Sequence, residues 1–153
     1  MKQVGVLAIA VGLVAAAAAQ LAAGSGSAGS PVVLKALLSG PYLHTTATGA
    51  GTATITFSAS KACWKFTYSG IDTPNISGIH VAPPPPAGYH KWSVFPFTAT
   101  TSTKPGCEAL GRWGGSVSRS WAHRIVANPS RFYVIIGTDR YPNGAIGGLL
   151  HRA

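Results

Sequence analysis

Few side chains in this sequence have the reactivity to do chemistry. There are five histidines (His44, His80, His90, His123 and His151), two cysteines (Cys63 and Cys107) and three carboxylates (Asp72, Glu108 and Asp139). The histidines form no H-x-H, H-x-x-x-H or HExxH pattern, the spacings that place two imidazoles around one metal on a strand or helix face. His80 and His90 flank the segment VAPPPPAGY. If the strands on either side are antiparallel neighbours, the two rings approach one another, and these residues are the weak candidates for a copper or zinc pair. The competing reading is a hydrogen-bonded or exposed histidine, and the expectation is that the chain holds no metal and no other cofactor.

Hydrolytic chemistry has as little to work with. The sequence lacks a G-x-S-x-G nucleophile elbow. Glycosidase chemistry needs two carboxylates within about 10 Å of each other, yet all three here fall in expected turns or loops, which hold such a pair poorly. A Ser/His/Asp triad assembles from distant residues, so spacing does not decide that case. GAGTAT lacks the Lys of a phosphate-cradling loop and precedes a strand. No catalytic residue is assigned, and the balance favours a non-enzymatic protein.

Cys63 and Cys107 are expected to form a disulfide, because an exported pair in an oxidising compartment is bridged more readily than it stays free. Closing about 44 residues is worth about 4 kcal/mol in chain entropy. The alternative, a reactive Cys63 thiol, would draw on the nearby Lys61 and Lys65. Export itself is read from the first 23 residues: Lys2, an apolar run from Val4 to Ala19 and small residues after it, the pattern of a signal peptide cleaved after about Ala19 or Ala23. The run is shorter than the roughly 20 residues of a spanning helix, which argues against a retained anchor. Residues 24–31 (GSGSAGSP) read as a Gly/Ser linker, and 32–153 as one domain, secreted or periplasmic.

The whole chain of 153 residues carries 12 Lys and Arg against 3 acids, for a formal charge of +9. Such a balance favours anionic partners. The bases are dispersed, as at Lys91, Lys104, Arg112, Arg119, Arg124, Arg131 and Arg140, and a solubilising role competes with a specific anion site. Hydrophobic residues reach 46% and charged residues 10%, with 19 Gly and 11 Pro. This composition excludes disorder along the whole length and disfavours a bundle of long helices.

The elements that must position these residues are mostly strands. TATITFS (Thr52 to Ser58) alternates strictly, with Ala53, Ile55 and Phe57 on one face. Cys63 to Tyr68 alternates likewise, and Trp64, Phe66 and Tyr68 are the leading core residues. Further strands are expected at Val32 to Leu38, Ile76 to Val81, Lys91 to Phe97, Ser116 to Ser118, Arg131 to Thr138 and Ala145 to His151. One helix is expected, Trp121 to Ala127, ended by Asn128 and Pro129. YPNG (Tyr141 to Gly144) should turn a hairpin between the last two strands. Pro83 to Pro86 reads as a stiff polyproline bridge. Tyr89, Trp92, Trp113 and Trp121 are candidates for a carbohydrate-stacking surface, and Asn75–Ile76–Ser77 is a glycosylation sequon. The fold class that follows is all-β, an antiparallel sandwich of two layers with one short helix before the penultimate strand.

The order of several segments resembles the CHRD domain, the module repeated in chordin. They are LSG at Leu38 to Gly40, TATGAGTATITF at Thr46 to Phe57, CWKFTYSGI at Cys63 to Ile71, SGIH at Ser77 to His80, NPSRFYVIIGT at Asn128 to Thr138 and PNGAIGGLL at Pro142 to Leu150. The resemblance covers about Val33 to Leu150 and implies a secreted, immunoglobulin-like β-sandwich of Greek-key type. The departures fall on polar positions. Gly78 stands where the family's Ala-His-Ile-His has its first His. Ile135 and Gly137 stand in the place of a common Asn-Val-His-Thr run, and Ala145 and Gly147 replace the acid and base of Glu-Ile-Arg-Gly. Of any polar network built on those positions, at best His80 is kept. The function expected is therefore an exported, non-enzymatic binding or interaction module at the cell envelope or outside the cell. A protein or polysaccharide ligand is expected, with an anionic polymer or membrane surface as a rival partner and no specific nucleic acid.

Overall fold

The computed structural model describes residues 30–84, 93–97, 105–111 and 118–153. The expected leader and almost all of the linker lie outside that set, as do Tyr89, His90, Lys91, Trp92, Lys104, Arg112 and Trp113.

Among the described residues nine strands form an antiparallel sheet: β1 (Val32–Ser39), β2 (Ala50–Phe57), β3 (Lys61–Ser69), β4 (Pro74–Val81), β5 (Phe95–Pro96), β6 (Gly106–Ala109), β7 (Phe132–Thr138), β8 (Ile146–Leu149) and β9 (His151–Arg152). Their order across the sheet is β5-β4-β7-β8-β1-β2-β3-β6, with β9 pairing β1. Alternation does what the sequence promised. Leu34, Ala36 and Leu38, then Ala53, Ile55 and Phe57, then Ala62, Trp64 and Phe66 all enter one core, while the residues between them face outward. Tyr68 is only partly buried against that core.

The sheet curls until its ends meet through aromatic rings. Phe57 of β2 meets Phe95 of β5 edge-on at 5.5 Å, and Phe97 lies 4.9 Å from Trp64 and 5.2 Å from Phe66. The two layers expected from the immunoglobulin-like reading are thus joined in one curled sheet, a half-barrel, because β1 and β8 pair at Ser39–Gly147. Side-chain periodicity reports which face of a strand is buried, but not whether the ladder between two halves is broken.

The helix α1 (Arg119–Ala127) packs Ala122 and Ile125 into the core and begins two residues before the expected start. Trp121 meets Phe132 edge-on at 6.3 Å. The hairpin between β7 and β8 turns where expected: Thr138 and Tyr141 exchange backbone hydrogen bonds of 3.0 and 3.2 Å, and Gly144 takes φ 121°. Two expected strands are described only in part. Of Lys91 to Phe97 only Phe95–Pro96 is paired among the described residues, and of Ser116 to Ser118 only Ser118 is described, in an isolated bridge to Gly111. Strand β6 was not anticipated. It brings Cys107 opposite Cys63, and the two form a disulfide with Cα atoms 4.0 Å apart.

Candidate functional site

Strand register gathers the departures from the family pattern into one patch. Gly78 of β4 pairs with Ile135 of β7, which pairs with Gly147 of β8. On the next row His80 pairs with Tyr133, and Tyr133 with Leu149. Because successive residues of a strand point to opposite faces, these rows lie on the face turned away from the main core: their neighbours Ile79, Val134 and Ile136 are the core residues. Gly137 stands on the same face, paired with Ile76.

Around Tyr133 and Ile135 this face is closed. The short 3-10 turn Pro41–Leu43 folds over it, and Leu43, Tyr133 and Ile135 make a second apolar cluster against which Tyr42 and Ala82 pack. Every residue of β7 is buried as a result. Gly147 is obligatory here, since a Cβ at that position would stand 2.7 Å from the Leu43 Cδ2 atom. At Gly78 a Cβ would collide with the Ser93 hydroxyl, which itself donates to the Ile79 carbonyl at 3.2 Å. Two of the positions that resemble polar family sites, Gly78 and Gly147, have therefore lost both the side chain and the space for it, and Ile135 between them carries an apolar chain.

What polarity remains is carried by three rings. His80 is buried, with its ring 5.5 Å from that of Tyr133, and Tyr42 lies 5.9 Å from Tyr133 on another side. Burial pushes the Tyr133 phenol up to about 12, helped by the nearby Tyr42, and burial raises Tyr42 as well. Both phenols stay neutral at physiological pH, where they can donate hydrogen bonds but are poor nucleophiles. Sequence reading singled out His80 but neither Tyr42 nor Tyr133. The available signal was FYVII in β7, an apolar run too continuous to mark which residue faces a site.

The other candidates are scattered. His90 of the expected His80–His90 pair lies outside the described residues. His44, just past the Pro41–Leu43 turn, His123 of α1 and His151 of β9 are exposed, and among the described residues no group of three His, Cys, Asp or Glu collects around a potential metal. Asp139 accepts a hydrogen bond from the Asn75 side chain. Asp72 lines a separate shallow hollow of about 430 Å3 with Thr46, Arg140 and Tyr141. Glu108 sits on β6 opposite Ala62. An open groove of about 520 Å3 lies beside α1, lined by Val81, Trp121, His123, Arg124, Arg131 and Phe132, with the Arg124 guanidinium 5.0 Å above the Trp121 ring. Of the four aromatics proposed for stacking, Trp121 alone lies among the described residues, and that cation already covers one face of its ring.

No helix among the described residues is long and apolar enough to cross a membrane. No curated protein and no solved structure matches the chain. The CHRD domain family model matches residues 32–150, from the first residue of β1 to the end of the core strands. With nearly the whole folded region covered, the chain belongs to the CHRD domain family.

Proposed function

We propose that this protein is a non-enzymatic binding module working at the cell envelope or outside the cell, exported by a leader removed after about Ala19 or Ala23. The observation that carries the reading is the sealed row Gly78–Ile135–Gly147: at the positions where the family pattern is polar, this chain has filled the space with Leu43 and the Ser93 hydroxyl. A sheet so closed offers partners its outer surface rather than a reaction chamber. Membership of a family whose members are typically extracellular supports the location. The disulfide supports it too, because Cys107 is exposed and a solvent-accessible bridge on an edge strand would meet the reducing thiols of a cytosol. The rival paired-histidine reading needs His90, which lies outside the described residues.

Expression of the full chain with a C-terminal tag tests this reading. The expected product lies outside the cytoplasm, begins near residue 20 or 24 by mass, and has no thiol that alkylates before reduction. A full-length chain retained in the cytoplasm with two free thiols would overturn it. Metal analysis of the same product and of its His80→Ala variant closes the rival reading if their metal contents are equal.

A further inference from the structure

Bases dispersed along the sequence are brought together by register on the open half of the sheet. His151 of β9 pairs with Lys35 of β1, Lys35 with Thr54 of β2, and Thr54 with Lys65 of β3. Four neighbouring strands thus carry one row of about 14 Å at the usual inter-strand spacing. Lys61 lies four residues before Lys65 on the same face of β3, about 13 Å along the strand. Lys35, Lys61, Lys65 and His151 are all exposed.

The carboxylates are elsewhere. Glu108 is in register with Ala62, whose side chain points into the core. Asp72 and Asp139 follow the ends of β3 and β7, at the far end of the sheet from Lys61. Among the described residues, no Asp or Glu side chain projects from the face that carries the lysines.

The adjoining row decides what kind of anion fits. Leu37 pairs with Thr52 and Thr52 with Thr67, and the two threonine hydroxyls are hydrogen-bonded at 2.7 Å. Continuing the Ser39–Gly147 register sets Leu149 beside Leu37, which are 40% and 76% exposed. Two apolar side chains and two hydroxyls next to a row of cations match a sugar polymer, whose rings offer C–H faces, hydroxyls and acid groups together. A bilayer would call for apolar side chains protruding from a loop tip or an amphipathic helix, whereas these lie within a sheet face. Single-stranded nucleic acid would call for exposed aromatic platforms, and Trp64 and Phe66 of β3 point inward.

We infer that the outer face of β1, β2, β3 and β9 binds an anionic polysaccharide lying across the strands, through Lys35, Lys61, Lys65 and His151. This rests on the reading of the chain as an extracellular binding module and names its partner class. The test is binding of the purified, disulfide-bonded chain to dextran sulfate, to neutral dextran and to phosphatidylglycerol vesicles at low and high salt. Two double variants each lower the net charge by two: K35Q/K65Q on the face, and T73E/R140Q at the far end. The expected result is binding to dextran sulfate, none to neutral dextran and weaker binding to vesicles. Binding should fall about tenfold in K35Q/K65Q and less than about twofold in T73E/R140Q. Equal losses in the two variants would reduce the effect to net charge and overturn the face. Stronger binding to vesicles than to dextran sulfate would overturn the partner class. Cytoplasmic retention in the export experiment would remove the extracellular reading without touching these affinities, so the two failures are distinguishable.

Discussion

The two halves of one sheet treat their outward surface in opposite ways. Over β4, β7 and β8 the outer face around Tyr133, Ile135 and Gly147 is buried under the lid of Pro41–Leu43, with Ile76 and Leu149 exposed at its margins. Over β1, β2 and β3 the same side of the same sheet is lysine and threonine in solvent. The closed half is held by packing, whereas the open half has an edge strand, β6, clipped by a cystine. The contrast teaches where a partner can act: the half in which sequence pattern suggested chemistry is filled, and the half that looked like mere solubilising charge is accessible.

The largest way to break the contrast is to cut the clip. Replacing Cys63 and Cys107 together with Ala should cost about 4 kcal/mol in urea unfolding, less whatever strain the bond carries, because a loop of 44 residues is freed in the unfolded chain. A loss below about 1 kcal/mol would mean that β6 is held by its ladder alone. Restoring a long side chain beneath the lid comes next. Gly147→Arg should destabilise by about 3 kcal/mol or more, since the Leu43 side chain would have to move and a charge would be buried. A variant of normal stability would show that the lid lifts freely.

Alkaline pH probes the closed half without altering its size. The Tyr133 phenol titrates near 12 when folded and near 10 when unfolded, so below pH 10 both states are protonated and its contribution is intact. Between pH 10 and 12 the unfolded chain ionises first, and stability should fall by up to about 3 kcal/mol at about 1.4 kcal/mol per unit. Tyr133→Phe should flatten that fall in urea titrations at pH 8 and 11.5; an unchanged slope would place the phenol in solvent. The smallest effect is expected from His80→Gln. It lies on the closed half, so binding to dextran sulfate should stay within about twofold of the parent, and a larger loss would tie the two halves together.

Much of the fold was legible because β1, β2 and β3 alternate cleanly and each buries one face. β4, β7, β8 and α1 followed from similar reasoning and from the YPNG turn. β6 was not, since GCEA has no apolar alternation and owes its place to Cys107 meeting Cys63. The site was less legible for two physical reasons. Tyr133 sits in a strand buried on both sides, where periodicity carries no facing information. Lys35, Lys65 and His151 are distant in sequence and become neighbours only through a register that no local pattern specifies.

Backbone amide shifts during titration with dextran sulfate test the central contrast most directly. The account predicts movements centred on Lys35, Thr54, Lys61, Lys65 and His151, with His80, Tyr133 and Ile135 unmoved. Shifts concentrated at His80 and Tyr133, with the lysine face silent, would contradict it.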